Sequence, residues 1–191
     1  MKIFRWAVLA AACLMMTSFS FGQSVDAFFG FNTLVTKAGP SGVPKLGGGL
    51  YPNVGGDLIF LPHGLGIGAQ VAWRGSMTSF NVRPVFYTFN LVWEPVGPGF
   101  SVRPDIAVGF GAENLRIYTG ALNCGSFGCI NHSSSNHLVL HAGFGVKVYL
   151  GEHIFLRPAV DYYNIHNNVE FAVPSAWQVG VSIGYTLGPS S

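Results

Sequence analysis

The chain has 191 residues, a formal net charge of +2 at pH 7, and is 49% hydrophobic but only 9% charged, against about 25% charged in ordinary soluble domains. The length suits one domain. Lys and Arg are scattered singly, so no basic run tracks a phosphate backbone and nucleic acid is excluded as a partner. No segment after the N-terminus offers the roughly 18 uninterrupted apolar residues of a spanning helix, which excludes helical membrane topology.

The first residues read as an export signal. Lys2 and Arg5 form a basic start, 6–16 an apolar stretch too short to span a bilayer, and 17–22 a small-residue close before cleavage. Residues 1–22 are assigned to a signal peptide and 23–191 to a barrel domain starting at Gln23. Lipidation at Cys13 would want a branched apolar residue three positions earlier, where Ala10 stands.

From residue 25 the chain alternates with the period of a strand, whose successive side chains point to opposite faces. Over 25–35, Ala27, Phe29, Phe31 and Thr33 oppose Asp26, Phe28, Gly30 and Asn32. Residues 36–48, rich in Gly, Pro and Lys, form an exposed loop. The segment 50–61 sets Gly55 and Asp57 against Val54, Leu58 and Phe60, and 62–64 is a tight turn. In 65–74, Leu65, Ile67, Ala69, Val71 and Trp73 oppose Gly66, Gly68, Gln70, Ala72 and Arg74.

After a short loop at 75–79, the segment 81–93 places Arg83, Val85 and Tyr87 against Val82, Pro84, Phe86 and Thr88. Asn90 then falls on the wrong parity, which predicts a bulge near Phe89. A turn at 94–101 leads to 102–113, where Arg103, Asp105, Ala107, Gly109, Gly111 and Glu113 share a face. Residues 118–137 read as the longest loop, polar and Gly/Ser-rich, and hold Cys124 and Cys129. In 138–150 the polar face is His141, Gly143, Gly145, Lys147 and Tyr149; in 154–165 it is Phe155, Arg157, Ala159, Asp161 and Tyr163. The last strand, 176–185, has Trp177, Val179, Val181, Ile183 and Tyr185 on one face and Gln178, Gly180, Ser182 and Gly184 on the other.

Eight such segments, each near the roughly 10 residues a tilted strand needs to cross a bilayer, predict an all-β fold: an eight-stranded antiparallel up-and-down transmembrane β-barrel. Its apolar parity would face lipid. The other parity collects Arg74, Arg83, Arg103, Lys147 and Arg157 with Asp26, Asp57, Asp105, Glu113 and Asp161, five cations balancing five anions. Lys or Arg facing lipid at the midplane would cost about 2–4 kcal/mol each, so these groups are expected to form a salt-bridge network in the lumen. A barrel of this size is just wide enough for its own side chains, so the network should plug it. The inward glycines leave room for the long side chains. In an exported chain Cys124 and Cys129 are expected to form a disulfide, restricting the unfolded loop by roughly 2 kcal/mol.

Over about 23–185 the pattern resembles the small outer-membrane β-barrels of the OmpA/OmpX/opacity type. Its most specific part is the last strand, where Gln178, Gly180, Ile183 and Tyr185 are similar to the polar-x-Gly-x-x-apolar-x-aromatic signal read by barrel-insertion machinery. The resemblance implies the outer membrane of a Gram-negative-type bacterium, with outer-membrane lipid and that machinery as partners.

Catalytic patterns are sparse. His132 and Ser134 stand as the His-x-Ser of outer-membrane lipid A deacylases does, but the next acid, Glu152, lies past a turn toward the far side of the membrane. His132, His137 and His141 are unevenly spaced and lack a companion carboxylate in their segment, so no metal is expected. No phosphate loop or other cofactor motif is present. The sequence therefore points away from an enzyme and toward a structural or surface-interaction role, with 118–137 contacting an extracellular partner. A narrow channel for small or apolar solutes is the alternative, and a lipid-modifying enzyme the third reading.

Overall fold

A computed structural model of the chain describes residues 24–37, 46–78, 81–125, 128–167, 171 and 173–188, with the backbone alone described at 119–125 and 128–132. The signal-peptide segment lies outside the described residues. Eight strands follow in order: β1 (Ser24–Val35), β2 (Leu50–Leu61), β3 (Leu65–Trp73), β4 (Val82–Trp93), β5 (Val102–Gly125), β6 (Gly128–Tyr149), β7 (Ile154–Ile165) and β8 (Ser175–Leu187). Each is antiparallel to its neighbours, and β1 pairs with β8 to close the barrel. Closure removes sheet edges, so the backbone polar groups of a spanning sheet are satisfied without water.

The alternation decides which side chains face in. Phe31, Phe89, Leu91 and Phe110 point outward, Leu91 to 70% exposure, while Asp26, Asp57, Asp105 and Lys147 are buried inside. That is the reverse of a soluble sheet and suits an apolar solvent. β1 begins and β8 ends at one rim, where Val25 faces Leu187. The turns β2–β3, β4–β5 and β6–β7 share this turn-side rim, and the other connections lie at the loop-side rim.

The structure corrects the sequence reading in three places. First, β4 pairs with β3 and β5 without any register shift, so no bulge occurs near Phe89. Its inward residues are Val82, Pro84, Phe86, Thr88, Asn90 and Val92. Arg83 is therefore outside, half-buried, with Nε donating to the carbonyl of Arg74 at 2.8 Å. The assumption that a charge marks the inner face fails here because the inner face of β4 near the loop-side rim is apolar.

Second, 118–137 is not a loop. β5 and β6 run on as a two-stranded ribbon, with β4 leaving β5 at Val82↔Ile117 and β7 meeting β6 only from Val139↔Ile165. Beyond the membrane neither face needs apolar residues, so the alternation that marks a strand is lost.

Third, an apolar cluster fills much of the loop-side interior. Leu34, Tyr51, Val82, Phe86, Leu115, Val139, Tyr163, Ile165 and Ala176 pack with two residues from the connections, Leu46 and Phe171. Phe86 stacks on Tyr163 at 4.9 Å between ring centroids. Tyr51 donates its hydroxyl to the Leu46 carbonyl at 3.0 Å, fixing that connection over the cluster.

Candidate functional site

Most of the inward charged side chains gather below this apolar layer, toward the turn-side rim. Asp26 on β1 and Asp57 on β2 are direct cross-strand partners, an arrangement of like charges that is destabilising by itself. Lys147 on β6 reaches across the barrel to both. Its Nζ contacts Asp26 Oδ2, lies 3.5 Å from Asp57 Oδ2, and also contacts Glu94 Oε1. All four side chains are nearly inaccessible to water.

The three carboxylates each bring an oxygen within 4.8 Å of the others, a donor set that suits a hard cation. The Lys147 ammonium already takes the place among them that such a cation would occupy. Its Nζ lies 5.4 Å from the Phe155 ring centroid.

Glu94 escapes a parity argument that stops at Trp93. The even face of β4, through Thr88, Asn90 and Val92, continues one step to Glu94 once Asn90 is placed inside. Its backbone N–H donates to the Gly64 carbonyl at 2.8 Å, tying the two turns together. Burial holds the Glu94 carboxyl above the usual carboxylate range, while Lys147 pulls it down. With Arg83 outside and Glu94 inside, the balance of five against five becomes four cations against six carboxylates.

A second pair joins β7 to β5. Arg157 Nε donates to both carboxylate oxygens of Asp105 at 3.1 Å, and Nη2 adds a further bond to Oδ2. The guanidinium lies 5.0 Å from the Phe28 ring centroid. Gly145 makes room for the pair, because a Cβ there would sit 2.6 Å from Asp105 Oδ1 and 2.8 Å from Arg157 Nε. Asp161 pairs instead with His141, whose Nε2 lies 3.1 Å from Asp161 Oδ1 and whose Nδ1 lies 2.7 Å from Asn90 Oδ1.

The remaining candidates lie nearer the two rims. Arg103, buried, donates from Nε to the Phe100 carbonyl at 3.1 Å and from Nη1 to the Tyr149 hydroxyl at 3.4 Å. Arg74 lies at the loop-side end, with Nη1 3.4 Å from the Leu46 carbonyl. Glu113 is buried at that end, opposite His137 in the β5–β6 ladder. Direct contacts among the described residues thus join Lys147 to Asp26, Asp57 and Glu94, Arg157 to Asp105, and His141 to Asp161.

On β8, Gln178 is buried and accepts the Tyr163 hydroxyl at 2.6 Å, and Gly180 lies where a Cβ would strike Asn32. Ile183 and Tyr185 point outward. Cys124 and Cys129 are direct partners across the ribbon, with their side chains outside the described ones. The His132 side chain is likewise outside them. The described hydroxyl–imidazole contact is Ser135 Oγ to His137 Nε2, at 3.1 Å.

Together, closure, strand number and inverted burial define an eight-stranded barrel with the fold of the small outer-membrane β-barrels. Among solved structures the chain is similar to Neisserial surface protein A, with a TM-score of 0.59 and 13% identity over 87% of this chain and 96% of that one. It is also similar to the N-terminal β-barrel domain of Pseudomonas aeruginosa OprF, with a TM-score of 0.53 and 15% identity over 87% and 98%. A third is Ail, the attachment invasion locus protein of Yersinia pestis, solved with the heparin analogue sucrose octasulfate, at a TM-score of 0.50 and 14% identity over 88% and 100%. No protein-family model and no curated protein matches the sequence.

Proposed function

We propose that the protein resides in the outer membrane of a Gram-negative-type bacterium as a closed barrel with a structural or surface-interaction role and no catalysis of its own. The observation that supports this reading is the packing of the interior. Apolar side chains pack the loop-side end, and buried ion pairs cross the barrel below them. The outward apolar face is the surface for outer-membrane lipid. Gln178, Gly180, Ile183 and Tyr185 on β8 are proposed to serve the barrel-insertion machinery.

The β5–β6 ribbon is the proposed contact surface for an extracellular partner. Between Ile117 and Leu138 it has no Asp, Glu, Lys or Arg, so its sequence offers hydroxyl, amide and imidazole groups with a few apolar residues. A sulfated polyanion such as the analogue bound by Ail would find no Lys or Arg on it. The directly paired Cys124 and Cys129 are proposed to staple the ribbon as a disulfide, to be seen by non-reducing mass spectrometry as a chain without its two thiol hydrogens.

Reconstitution into planar bilayers tests the closed barrel: electrical silence is expected, and steady single-channel currents would favour the narrow channel. Shortening the ribbon at the Tyr118↔His132 rung should leave a heat-modifiable barrel and abolish surface binding. Loss of the barrel itself would contradict the assignment of the ribbon to contact rather than to folding.

A further inference from the structure

We propose that the turn-side mouth of the barrel is a binding site for a small amino-carboxylate, a zwitterion whose carboxylate meets Arg103 and whose ammonium faces Glu94. A cavity of about 260 Å³ opens there between the β2–β3 and β4–β5 turns. Its walls are apolar at Ile59, Leu61, Pro95 and Val96, and its ionisable groups are Arg103, Glu94 and His63. The volume lies below the usual range of about 300–1,000 Å³ for drug-sized ligands, which selects a small occupant.

The guanidinium is held in place before any ligand arrives. Nε is used on the Phe100 carbonyl, Nη1 on the Tyr149 hydroxyl, and the group stacks 4.3 Å from the Tyr149 ring centroid. Tyr149 is itself fixed, with its hydroxyl 2.9 Å from Thr186 Oγ1. Nη2 is buried without an acceptor, and Arg103 forms no ion pair among the described residues. A guanidinium with 3% exposure and an unused pair of donors is costly to bury. A carboxylate oxygen is the acceptor that a charged donor such as Nη2 binds strongly.

The surroundings set the rest of the ligand. Asp26, Asp57 and Glu94 already outnumber Lys147 and Arg103 at this end, so a bare anion, and a phosphate dianion most of all, would meet repulsion. A zwitterion adds no net charge and puts its ammonium on the side of the cavity where Glu94 lies.

The test uses the full barrel in detergent micelles with arginine labelled by nitrogen-15, following the side-chain Nε–H resonances during a titration with glycine. Arg103→Lys assigns the Arg103 resonance; if that variant does not fold, through-bond correlation to the Arg103 backbone does so in the unaltered protein. The Arg103 resonance should shift saturably with glycine. Acetate and inorganic phosphate should bind about tenfold more weakly, the loss expected for one charge-assisted contact. Glu94→Gln should erase the preference for glycine over acetate. No saturable shift with glycine, or binding of acetate or phosphate as tight as that of glycine, would overturn the proposal.

Discussion

Replacing Lys147 by Met should be among the most damaging single changes available to the barrel. The ammonium touches Asp26 and Glu94 and lies 3.5 Å from Asp57, so its loss leaves three buried carboxylates facing one another. Removing one member of a buried ion pair costs about 3–5 kcal/mol. Three partners, two of them directly opposite across β1 and β2, place this site at the upper end. Against a typical stability of about 5–15 kcal/mol, that is a third or more of the total. Urea unfolding in micelles, followed by tryptophan fluorescence, measures it. The deficit should shrink as pH falls through the carboxylate range, because protonated carboxyls no longer repel. Adding Asp26→Asn, Asp57→Asn and Glu94→Gln to Lys147→Met should recover most of the loss. A Lys147→Met barrel within about 1 kcal/mol of the parent at neutral pH, against the cited cost of a broken buried pair, would refute the assignment of Lys147 as the group holding these carboxylates together.

Gly145→Ala should destabilise the barrel by about 1–3 kcal/mol, the usual range for overpacking, since its Cβ would press on the Asp105–Arg157 pair; an unchanged urea midpoint would show that the pair can move aside. Glu94 gives a pH dependence of defined sign. Its carboxyl titrates above the ordinary value in the folded state, so the folded chain holds more protons than the unfolded one between those two values. Its contribution to stability is fully present below that window and falls as pH rises through it. Glu94→Gln should therefore gain on the parent as pH rises, and a parent that gains on the variant instead would reverse the argument.

The legible parts of this fold were those where lipid imposes strict alternation. The last strand, with Val181 and Ile183 out and Ser182 in, could be read directly, as could β3 and β7. Charge proved a weaker guide than parity. Arg83 sits near a rim where water reaches the outer face, so its charge does not require the lumen, and the apolar lining of β4 was mistaken for a lipid face.

Asn90 and Glu94 belong to one continuous inward row, which the expected bulge concealed. The apolar layer was invisible because Leu46 and Phe171 come from connections whose composition reads as solvent-exposed. Which carboxylate would meet which cation also could not be read from the sequence. Lys147 and its three partners come from four segments brought together only by closure and register.

The central claim is the orientation of the wall, and two adjacent residues of β8 test it. In lipid nanodiscs, intermolecular nuclear Overhauser effects from the acyl-chain methylene protons report which side chains touch lipid. Val181 is 49% exposed on the outer face and Ser182 4% on the inner one. The account predicts cross-peaks from the acyl-chain methylenes to the Val181 methyl protons and none to the Ser182 β-protons. Cross-peaks to Ser182 with none to Val181 would mean that the barrel is inside out.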